Sequence, residues 1–438
     1  MSRPNIVFIL ADDLGYADLG CYGGRSGCSP RLDRMAAEGL RFTDGYSNSP
    51  VCSPTRFALA TGRYQYRLRG GNDEPISSRA RVDPRLRAEL GLPPSHPTLP
   101  SLLRDAGYAT ALVGKWHLGY PPAFGPLKSG YQEFFGALSG GLDYFTHRDT
   151  AGQHDLWDGE AESQRTGYLT DLITEKAVAF IERRRLQPFL LSVHYTAPHW
   201  PWETRADEAE ANRIERIIHT DGGSVETYLA MVRHMDEGIG RILDALKAGG
   251  VERDTLVIFT SDNGGERFSD TWPLVGKKMD LLEGGIRVPY IARWPGRVPA
   301  GAITAQHCMT MDFTATMLEA AGVAAHPEYP LDGVSVLKTF ESPASTFARE
   351  LYWRMKFRNQ KALRSGDWKY LAIEEHEYLF NLARDARERA NLAKREPQRL
   401  AALRERWLAW EKTVPTLPAE ATFSIPYTRA DMAMPASV

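Results

Sequence analysis

Short continuous apolar runs recur along the first three quarters of the chain, at residues 4–10, 108–113, 188–194 and 255–260. An amphipathic segment with helical periodicity precedes each of the last three runs, at 100–106, 169–185 and 226–249. Such runs are typical of strands buried on both faces of a parallel sheet. The alternation of helix and strand therefore predicts an α/β fold, with a large mixed, mostly parallel sheet sandwiched by helices.

The pattern changes at about residue 341. Aromatic and charged residues alternate with a period of two over 350–373, around a turn at 364–367, which predicts antiparallel strands. A charged amphipathic stretch at 384–412 predicts a helix interrupted at Pro397, and the Pro- and Ala-rich tail after Pro415 predicts a loop or extended arm. Since 438 residues exceed what one core usually supports, we expect a large α/β domain at 1–340 and a small α+β domain with an antiparallel sheet at 341–438.

Polar residues follow each of the four apolar runs. They are Asp12 and Asp13 after the first run, Lys115 and His117 after the second, His199 after the third, and Asp262 and Asn263 after the fourth. Ligands of open α/β sheets bind beyond the carboxyl ends of the strands. Carboxylate and amide oxygens favour a hard cation, Ca²⁺ or Mg²⁺, over zinc. Each acidic pair alone also fits a helix cap or a turn, so the prediction rests on their shared position at strand ends.

The segment 52–62 reads CSPTRFALATG. Pro54 suits the first turn of a helix, which places Cys52 near a helix N-terminus, where backbone N–H groups and the helix dipole favour an anion. Arg56 adds a positive charge one turn further on. From these residues alone, Cys52 is either a thiolate nucleophile or a buried free cysteine.

This segment matches the pattern C-x-P-x-R-x-x-x-x-T-G and so resembles the signature of the type I, formylglycine-dependent sulfatases of the alkaline phosphatase superfamily. Further segments resemble the same arylsulfatase-like family: GYATALVGKWHLG at 107–119, GKKMDLLEGGIRVP at 276–289, and the closing segments at 362–371 and 377–393. The resemblance runs from about residue 5 to 393. Thr55 departs from the serine that family members often carry at this position.

The resemblance implies that a formylglycine-generating enzyme oxidises Cys52 to formylglycine. It assigns a Ca²⁺ site, with Mg²⁺ as the alternative ion, to Asp12, Asp13, Asp262, Asn263 and the modified Cys52. It assigns the sulfate pocket to Arg56, Lys115, His117, His199 and Lys278. Lys278 is chosen over Lys277 because it lies five residues before Glu283, as in the family pattern K-x-x-x-x-E-G-G. His199 with Lys278 is then the expected proton donor to the leaving group, and His117 the expected base.

The implied activity is hydrolysis of a sulfate monoester, aryl or carbohydrate, to an alcohol and inorganic sulfate. Two alternatives stay open: a formylglycine-dependent phosphonate monoester or phosphodiester hydrolase of the same superfamily, and a non-catalytic binder of sulfated glycans. The sequence does not identify the natural ester. Four aromatic residues in predicted loops are candidates for a substrate rim, namely Tyr144, Trp200, Trp202 and Trp272.

Composition and charge limit the kinds of partner and the cellular location that we expect for this chain. The net charge of −2 and the pI near 6.6 show no basic surplus, so nucleic acid is not an expected partner. No run of about 18 apolar residues is present, so no membrane span is expected. The first apolar run begins close to Met1, which leads us to expect a cytoplasmic protein, although a chain trimmed of an export signal would look the same. Cys21 and Cys28 would pair only in an exported protein. The sequence does not indicate an oligomeric state.

Overall fold

The structure is a computed structural model that describes residues 3–68, 76, 79–214, 217 and 222–417. The arm predicted after Pro415 lies mostly outside the described residues. The strands are β1 (Asn5–Ala11), β2 (Leu40–Phe42), β3 (Gly45–Tyr46), β4 (Ala109–Gly114), β5 (Glu133–Ala137), β6 (Leu156–Asp158), β7 (Ala161–Glu162), β8 (Phe189–His194), β9 (Thr255–Ser261), β10 (Tyr290–Arg293), β11 (Ala302–Thr304), β12 (Cys308–Met309), β13 (Glu350–Met355), β14 (Gln360–Ser365), β15 (Trp368–Ile373) and β16 (His376–Asn381).

The α-helices of the described residues lie before, between and after groups of these strands. They are α1 (Pro30–Ala37), α2 (Cys52–Thr61), α3 (Arg79–Val82), α4 (Pro84–Glu89), α5 (Leu99–Asp105), α6 (Leu169–Arg184), α7 (Glu208–Arg213), α8 (Val225–Ala248), α9 (Glu283–Ile286), α10 (Thr310–Ala321), α11 (Leu337–Glu341) and α12 (Pro397–Glu411). The helices predicted before the second, third and fourth apolar runs are α5, α6 and α8.

The four apolar runs form the centre of one ten-stranded sheet, with the order β11-β2-β10-β9-β1-β8-β4-β5-β6-β7. Strands β9, β1, β8, β4 and β5 are parallel, whereas β10 and β6 join them antiparallel. The predicted mixed, mostly parallel sheet is therefore confirmed. Ala11 pairs with Ser261 across β1 and β9, and Leu10 pairs with His194 across β1 and β8. The residues that follow these strands consequently emerge at the same edge.

Helices cover both faces of the sheet because alternate side chains of each strand point to opposite sides. Val7 and Ile9 of β1 belong to a core that includes residues of α1, α6 and α8. Ile6 and Phe8 belong to a second core, with residues of α2, α5 and α10. Every residue of β1 is buried, which accounts for its continuous apolar sequence.

The C-terminal part contains the predicted antiparallel strands, as a four-stranded sheet in the order β13-β14-β15-β16. Trp353 and Leu371 lie in a core shared with Tyr46 of the larger part. Tyr370 lies in a separate core with Trp407 of α12. The small sheet thus packs against the larger part of the chain through the first core and against α12 through the second. Its antiparallel strands and this helix confirm the predicted α+β secondary structure.

The helix predicted over 384–412 is wrong in its first half. The structure begins α12 at Pro397, because proline is favoured in the first helical turn, where its missing N–H is not needed. Before it, the Asp385 carboxylate accepts hydrogen bonds from the backbone N–H groups of Arg389 and Ala390, at 2.7 Å each. Such side-chain bonds to the backbone compete with helix formation and favour turns.

A buried charged cluster connects the two sheets. We call Glu283, Arg287, Lys369 and Glu388 the interface cluster. Lys369 of β15 is fully buried, with Nζ 2.9 Å from Glu283 Oε1 and 2.8 Å from Glu388 Oε1. Tyr46 donates its hydroxyl hydrogen bond to Glu283 Oε2 at 2.8 Å. These ion pairs fix the small sheet against α9.

Cys21 and Cys28 are not bonded to each other in this structure. The Cys28 sulfur instead lies 3.0 Å from Ser26 Oγ and donates to the backbone carbonyl of Asp18 at 3.4 Å. Among the described residues, we find no helix that combines the length and the hydrophobicity needed to cross a bilayer.

Candidate active site

The ends of β1 and β9 place four oxygen-bearing side chains together. Asp12, Asp13, Asp262 and Asn263 are all buried. Asn263 Nδ2 donates to Asp13 Oδ1 at 2.7 Å, and the backbone N–H of Asp13 donates to Asp262 Oδ1 at 3.3 Å. Asp13 has a φ of +65°, in the left-handed region that non-glycine residues seldom adopt. The strand register thus brings the predicted acidic residues to one point.

Helix α2 begins at Cys52, so the predicted position of this residue at a helix N-terminus is observed. Its sulfur lies 3.4 Å from Asp12 Oδ1 and 4.0 Å from Asp13 Oδ1. Thr55 fixes the entry to the helix, because its hydroxyl accepts from the N–H of Ser49 and donates to the carbonyl of Ser49, at 3.0 Å each. A hydroxyl is retained where the family often has serine.

Burial raises the pKa of the Cys52 thiol well above its ordinary value. The positive charges of Lys115 and Lys278 oppose this shift, and the negative charges of Asp12 and Asp262 add to it. An unmodified Cys52 is therefore a neutral thiol at neutral pH, and neutral thiols are poor nucleophiles. Of the two options left by the residues alone, this environment disfavours a thiolate.

Arg56 lies one turn into α2 and is 1% exposed. Its Nη2 and Nε lie 2.8 and 3.0 Å from Asp262 Oδ2, and its Nη2 lies 3.7 Å from Asp12 Oδ1. Its Nη1 donates to the backbone carbonyl of Lys115 at 3.1 Å. The guanidinium is thus held rigidly between the two acidic strand ends.

Two buried lysines complete the positive charge of the centre. Lys115 follows β4 and donates its ammonium to Asp12 Oδ2. Lys278 Nζ lies 2.7 Å from Asp13 Oδ2, so the structure places the lysine that was chosen from the spacing in the cluster. Three ionisable carboxyls, of Asp12, Asp13 and Asp262, then face three cations.

The carboxyls differ in proton affinity. Burial alone raises the pKa of Asp13, but the ammonium groups, that of Lys278 before that of Lys115, lower it and hold this pKa at about 2. Burial and the neighbouring charge of Asp12 raise the pKa of Asp262 to about 7, against the effect of Arg56. The three cations therefore stabilise the ionised form of Asp13 more than that of Asp262.

His199 lies after β8, with Nε2 3.6 Å from Asp13 Oδ2 and Nδ1 2.7 Å from the carbonyl of Trp200. Since a carbonyl only accepts, Nδ1 carries the hydrogen and Nε2 of the neutral ring is unprotonated. Burial lowers the pKa of His199 well below its ordinary value, and Lys278 adds to this effect.

His117 has the opposite tautomer. Its Nε2 lies 2.8 Å from the carbonyl of Ile76 and must donate, whereas its buried Nδ1 has no hydrogen-bond partner in the described part of the chain. Burial, followed by the charge of Lys115, lowers the pKa of His117 well below its ordinary value. His117 therefore presents a free lone pair, as a base requires.

Sequence reasoning missed His194, the last residue of β8. Its Nδ1 lies 3.4 Å from Arg56 Nη1 and 3.2 Å from the carbonyl of Lys115. His194 thus lies against the guanidinium of Arg56 and helps to hold it in place. The signal in the sequence was a histidine that ends a continuous apolar strand, where a polar residue needs a partner.

The centre has the ligands of a cation site. Ligand atoms of Asp12, Asp13, Cys52 and His199 all lie within 4.8 Å of one another. Asn263 Oδ1 is buried and has no hydrogen-bond partner among the described residues, and such an oxygen is costly unless something coordinates it. A mainly oxygen-bearing set with several carboxyls fits a hard divalent ion.

Two of the four rim candidates, Tyr144 and Trp202, are buried in this structure. Tyr144 is fully buried, and its hydroxyl donates to the carbonyl of His199 at 2.9 Å. Trp202 is 6% exposed, because its ring packs 4.7 Å from that of Phe268. Both rings support the segment that carries His199 and do not offer a surface to a ligand.

Trp200 and Trp272 are accessible. Trp200 is half-buried, with its ring 4.2 Å from that of His199. Trp272 is 50% exposed, and the guanidinium of Arg387 lies 4.4 Å from its ring centroid. Trp272 belongs to a loop at 265–278 that begins beside Asn263 and closes where the N–H of Lys278 donates to the carbonyl of Gly265 at 2.9 Å.

Comparisons with known proteins agree with this geometry. The family model described as Sulfatase matches residues 4–323, and the model described as N-sulphoglucosamine sulphohydrolase, C-terminal, matches residues 272–406. N-acetylgalactosamine-6-sulfatase of Homo sapiens is 36% identical over 360 residues, covering 77% of this chain and 65% of that protein. Its counterpart in Canis lupus familiaris is 35% identical over 378 residues, covering 80% of this chain and 68% of that protein. The chain thus spans about two thirds of the length of these curated relatives.

Solved structures share the whole architecture. The crystal structure of Ps i-CgsB superposes with a TM-score of 0.83 and 30% identity, covering 96% of this chain and 95% of that chain. A crystal structure of Ps i-CgsB in complex with k-i-k-neocarrahexaose matches equally well. A steryl-sulfatase of Mus musculus is 31% identical over 432 residues, covering 79% of this chain and 66% of that protein.

Proposed function

Because the chain belongs to the sulfatase family, we propose that it hydrolyses sulfate monoesters of saccharides, with formylglycine made from Cys52 as its nucleophile. One observation carries this proposal. Cys52 begins a helix with its sulfur 3.4 Å from Asp12, inside a buried cluster of carboxyls, lysines and an arginine. That arrangement suits an anionic ester and disfavours the reactive thiolate.

Asp12, Asp13, Asp262, Asn263 and the modified residue 52 would hold a Ca²⁺ ion, with Mg²⁺ as the alternative. The unpaired Asn263 Oδ1 supports this assignment. Bound Ca²⁺ supplies Lewis-acid chemistry, since a divalent cation polarises the sulfate oxygens and acidifies a hydroxyl that it binds. Formylglycine supplies a hydrated aldehyde, with one hydroxyl to attack sulfur and a second whose deprotonation releases sulfate.

The cationic side chains of this chain bind and orient the ester. Arg56 is fixed by Asp262, and Lys115 and Lys278 are fixed by Asp12 and Asp13. Preorganised positive charge of this kind stabilises charge that develops in a transition state, because no reorganisation is needed during the reaction. Burial strengthens each of these interactions by excluding water.

Proton transfer is divided between two sides of the centre. On one side Lys278 carries the proton for the leaving oxygen, and His199 aligns it, since Nε2 of the neutral His199 ring is unprotonated. On the other side His117 accepts a proton at Nδ1, which has no other partner among the described residues. The tautomers set by the Trp200 and Ile76 carbonyls distinguish these roles.

A saccharide ester is favoured over a small aryl ester. The curated relatives at 35–36% identity are named N-acetylgalactosamine-6-sulfatase, after a sugar sulfate. Ps i-CgsB was crystallised with an oligosaccharide. In this chain Trp200 lies beside His199 and Trp272 is half exposed. Aromatic faces of this kind stack on sugar rings.

The test combines mass spectrometry with turnover. The chain is coexpressed with a formylglycine-generating enzyme, and the peptide that contains residue 52 is weighed. We expect a mass about 18 Da below that of the cysteine peptide, together with hydrolysis of 4-nitrophenyl sulfate that EDTA abolishes and Ca²⁺ restores. Turnover of a panel of sulfated mono- and oligosaccharides then shows which ester the protein hydrolyses fastest.

Two results would contradict the proposal. A fully modified residue 52 with no release of sulfate, but rapid hydrolysis of bis(4-nitrophenyl) phosphate, would identify a phosphodiester hydrolase. Binding of sulfated oligosaccharides by fully modified protein without hydrolysis of any ester would identify a glycan-binding protein.

A further inference from the structure

The second position of the C-x-P-x-R pattern carries a buried hydroxyl in this chain. Ser53 follows Cys52 in the first turn of α2 and is fully buried. Its Oγ accepts a hydrogen bond of 2.8 Å from the backbone N–H of Ile76. The pattern specifies the cysteine, the proline and the arginine of this segment but leaves residue 53 open. The pattern therefore gives this hydroxyl no role.

Ile76 connects Ser53 to the proposed base. Its backbone carbonyl accepts a hydrogen bond of 2.8 Å from His117 Nε2. The N–H of the same residue donates to Ser53, so one backbone residue joins the start of α2 to the His117 ring. All three residues are buried, and a low local dielectric strengthens hydrogen bonds.

The backbone and the ring of His117 are both held by neighbouring groups. The residue has a φ of +58°, in the left-handed region, which persists for a non-glycine residue only where the surroundings hold it. Its N–H donates to the carbonyl of Leu138 at 3.2 Å. A Cβ atom at Gly140 would lie 2.3 Å from Cε1 and 2.5 Å from Nε2 of the ring. The ring therefore lies against the Gly140 backbone, and the Ile76 carbonyl holds its Nε2.

The Ile76 carbonyl determines which ring nitrogen of His117 is free. Because a carbonyl only accepts, the hydrogen lies on Nε2, and Nδ1 of the neutral ring keeps its lone pair. This Nδ1 is buried and has no hydrogen-bond partner in the part of the chain that the structure describes. Without the Ile76 carbonyl, the hydrogen is free to move to Nδ1, where it removes the lone pair that a base requires.

We propose that Ser53 is a positioning residue: its hydroxyl fixes the backbone of Ile76, and Ile76 holds the His117 ring with Nδ1 free to accept a proton. The inference rests on the proposed function, because His117 accepts a proton only in that reaction. Ser53 acts through Ile76 and is not itself a catalytic residue. Loss of the hydroxyl leaves the Ile76 N–H without its acceptor and loosens the carbonyl that orients the base.

The experiment compares the wild-type holoenzyme with Ser53→Ala, Ser53→Thr and the control Ser29→Ala. Ser53→Ala removes the acceptor, whereas Ser53→Thr keeps a hydroxyl. Ser29 is also fully buried, and its Oγ accepts from the N–H of Gly20 at 2.9 Å, directly before α1 on the other face of the large sheet. Each protein is coexpressed with a formylglycine-generating enzyme. Its kcat for 4-nitrophenyl sulfate is divided by the modified fraction of residue 52, measured by mass spectrometry.

Ser53→Ala should lower kcat about 10-fold, less than the roughly 10²- to 10⁴-fold that a general base contributes, because the Ile76 side chain stays in its core. His117 serves the release of sulfate, after the alcohol has left. KM should therefore fall with kcat, kcat/KM should stay unchanged, and the first turnover should give a burst of 4-nitrophenol equal to the modified protein. Ser53→Thr should restore kcat, and Ser29→Ala should match the wild type. A fall in kcat/KM without a burst, or an unchanged kcat in Ser53→Ala, would overturn the proposal.

Nuclear magnetic resonance tests the His117 tautomer independently of turnover. In protein labelled with ¹⁵N-histidine, the ring ¹⁵N shifts of His117, assigned with His117→Asn, distinguish an N–H from a free lone pair. The wild type and Ser29→Ala should carry the hydrogen on Nε2, whereas Ser53→Ala should show exchange between the two tautomers.

A wild-type ring with its hydrogen on Nδ1 would overturn the proposal whether or not Ser53→Ala folds. Gly140→Ala displaces the ring directly and keeps the Ser53 hydroxyl. A changed tautomer in Gly140→Ala but not in Ser53→Ala would show that the ring does not depend on Ser53. The expected shifts in modified protein that releases no sulfate would refute the proposed function alone, whereas sulfate release with wild-type shifts in Ser53→Ala would refute this inference alone.

Discussion

The molecule contains two buried charged clusters of similar composition, the proposed catalytic centre and the interface cluster. In the interface cluster, Lys369 faces both Glu283 and Glu388, and the hydroxyl of Tyr46 binds the remaining oxygen of Glu283. In the catalytic centre, Asn263 Oδ1 and His117 Nδ1 have no partner among the described residues. In the first cluster even Glu388 Oε1, which accepts no hydrogen bond from the described residues, lies 2.8 Å from the Lys369 ammonium, whereas the two atoms of the second cluster have no ion-pair partner of this kind.

Buried charge thus has a different role in each of the two clusters. Breaking a buried ion pair is costly, so a saturated cluster fixes one arrangement of the elements that carry it. A cluster whose buried polar atoms lack partners loses stability and gains affinity for a ligand that supplies those partners. Matched substitutions in the two clusters should therefore separate effects on stability from effects on activity.

The largest expected effect is on activity. Replacing Cys52 by alanine removes the nucleophile and should lower kcat/KM for 4-nitrophenyl sulfate by about 10³-fold or more. The melting temperature should change little, because the substitution removes a single sulfur atom whose hydrogen bonds to Asp12 and Asp13 are long, at 3.4 and 4.0 Å. Retained turnover in protein whose Cys52→Ala sequence is verified would show that another group attacks sulfur.

Next in size is the change Lys369→Met in the interface cluster. It leaves Glu283 and Glu388 buried without their ammonium, so the free energy of unfolding should fall by about 3–5 kcal/mol. Urea denaturation followed by tryptophan fluorescence measures this loss. The kcat of the folded fraction should equal that of the wild type, and a selective loss of kcat would mean that this cluster also serves the reaction.

The corresponding change in the catalytic centre, Lys278→Met, should behave in the opposite way. Loss of the ammonium 2.7 Å from Asp13 should lower kcat/KM by about 10²–10³-fold, as for removal of one electrostatic donor. Stability in the presence of Ca²⁺ should fall less than for Lys369→Met. Equal destabilisation by the two substitutions would erase the distinction between the clusters.

The smallest expected effect is on protein stability at acidic pH. Burial raises the pKa of Glu283, but Lys369, Arg287 and Arg364 outweigh it and hold this pKa at about 2. A lowered carboxyl pKa contributes stability above the unfolded value of about 4.3, and this contribution is lost as pH falls toward 2. The stability difference between wild type and Glu283→Gln should therefore shrink from pH 5 to pH 3. A constant difference would mean that the charge of Glu283 is not what stabilises the interface.

The fold and the charged centre were predictable because their signals are local. Continuous apolar runs identified the four central strands, and the acidic residues directly after β1 and β9 identified the site. A helix start at Cys52 followed from Pro54. In each case the residue types within about ten positions determined the outcome.

The remainder depends on contacts between distant residues. Nothing near Tyr144 indicates that its hydroxyl binds His199, so its burial was not foreseen. His194 acquires its role because the pairing of β4 with β8 brings the Lys115 carbonyl to it and because α2 places Arg56 Nη1 3.4 Å from its Nδ1. The helical periodicity after residue 384 was overruled by hydrogen bonds from Asp385, which compete with the helix at short range.

The closed base of the 265–278 loop has a consequence for the evolution of specificity. One hydrogen bond between Gly265 and Lys278 connects the two ends of the loop, next to Asn263. Trp272 lies between these ends and is half exposed. Between these anchors Phe268 packs on Trp202 and the N–H of Asp270 donates to Asp18 at 2.8 Å, so the exposed Trp272 is the part of the loop that can change while the rest keeps its place. Substitution of Trp272 alone should therefore change the preference among sugar esters and leave hydrolysis of a simple aryl sulfate intact.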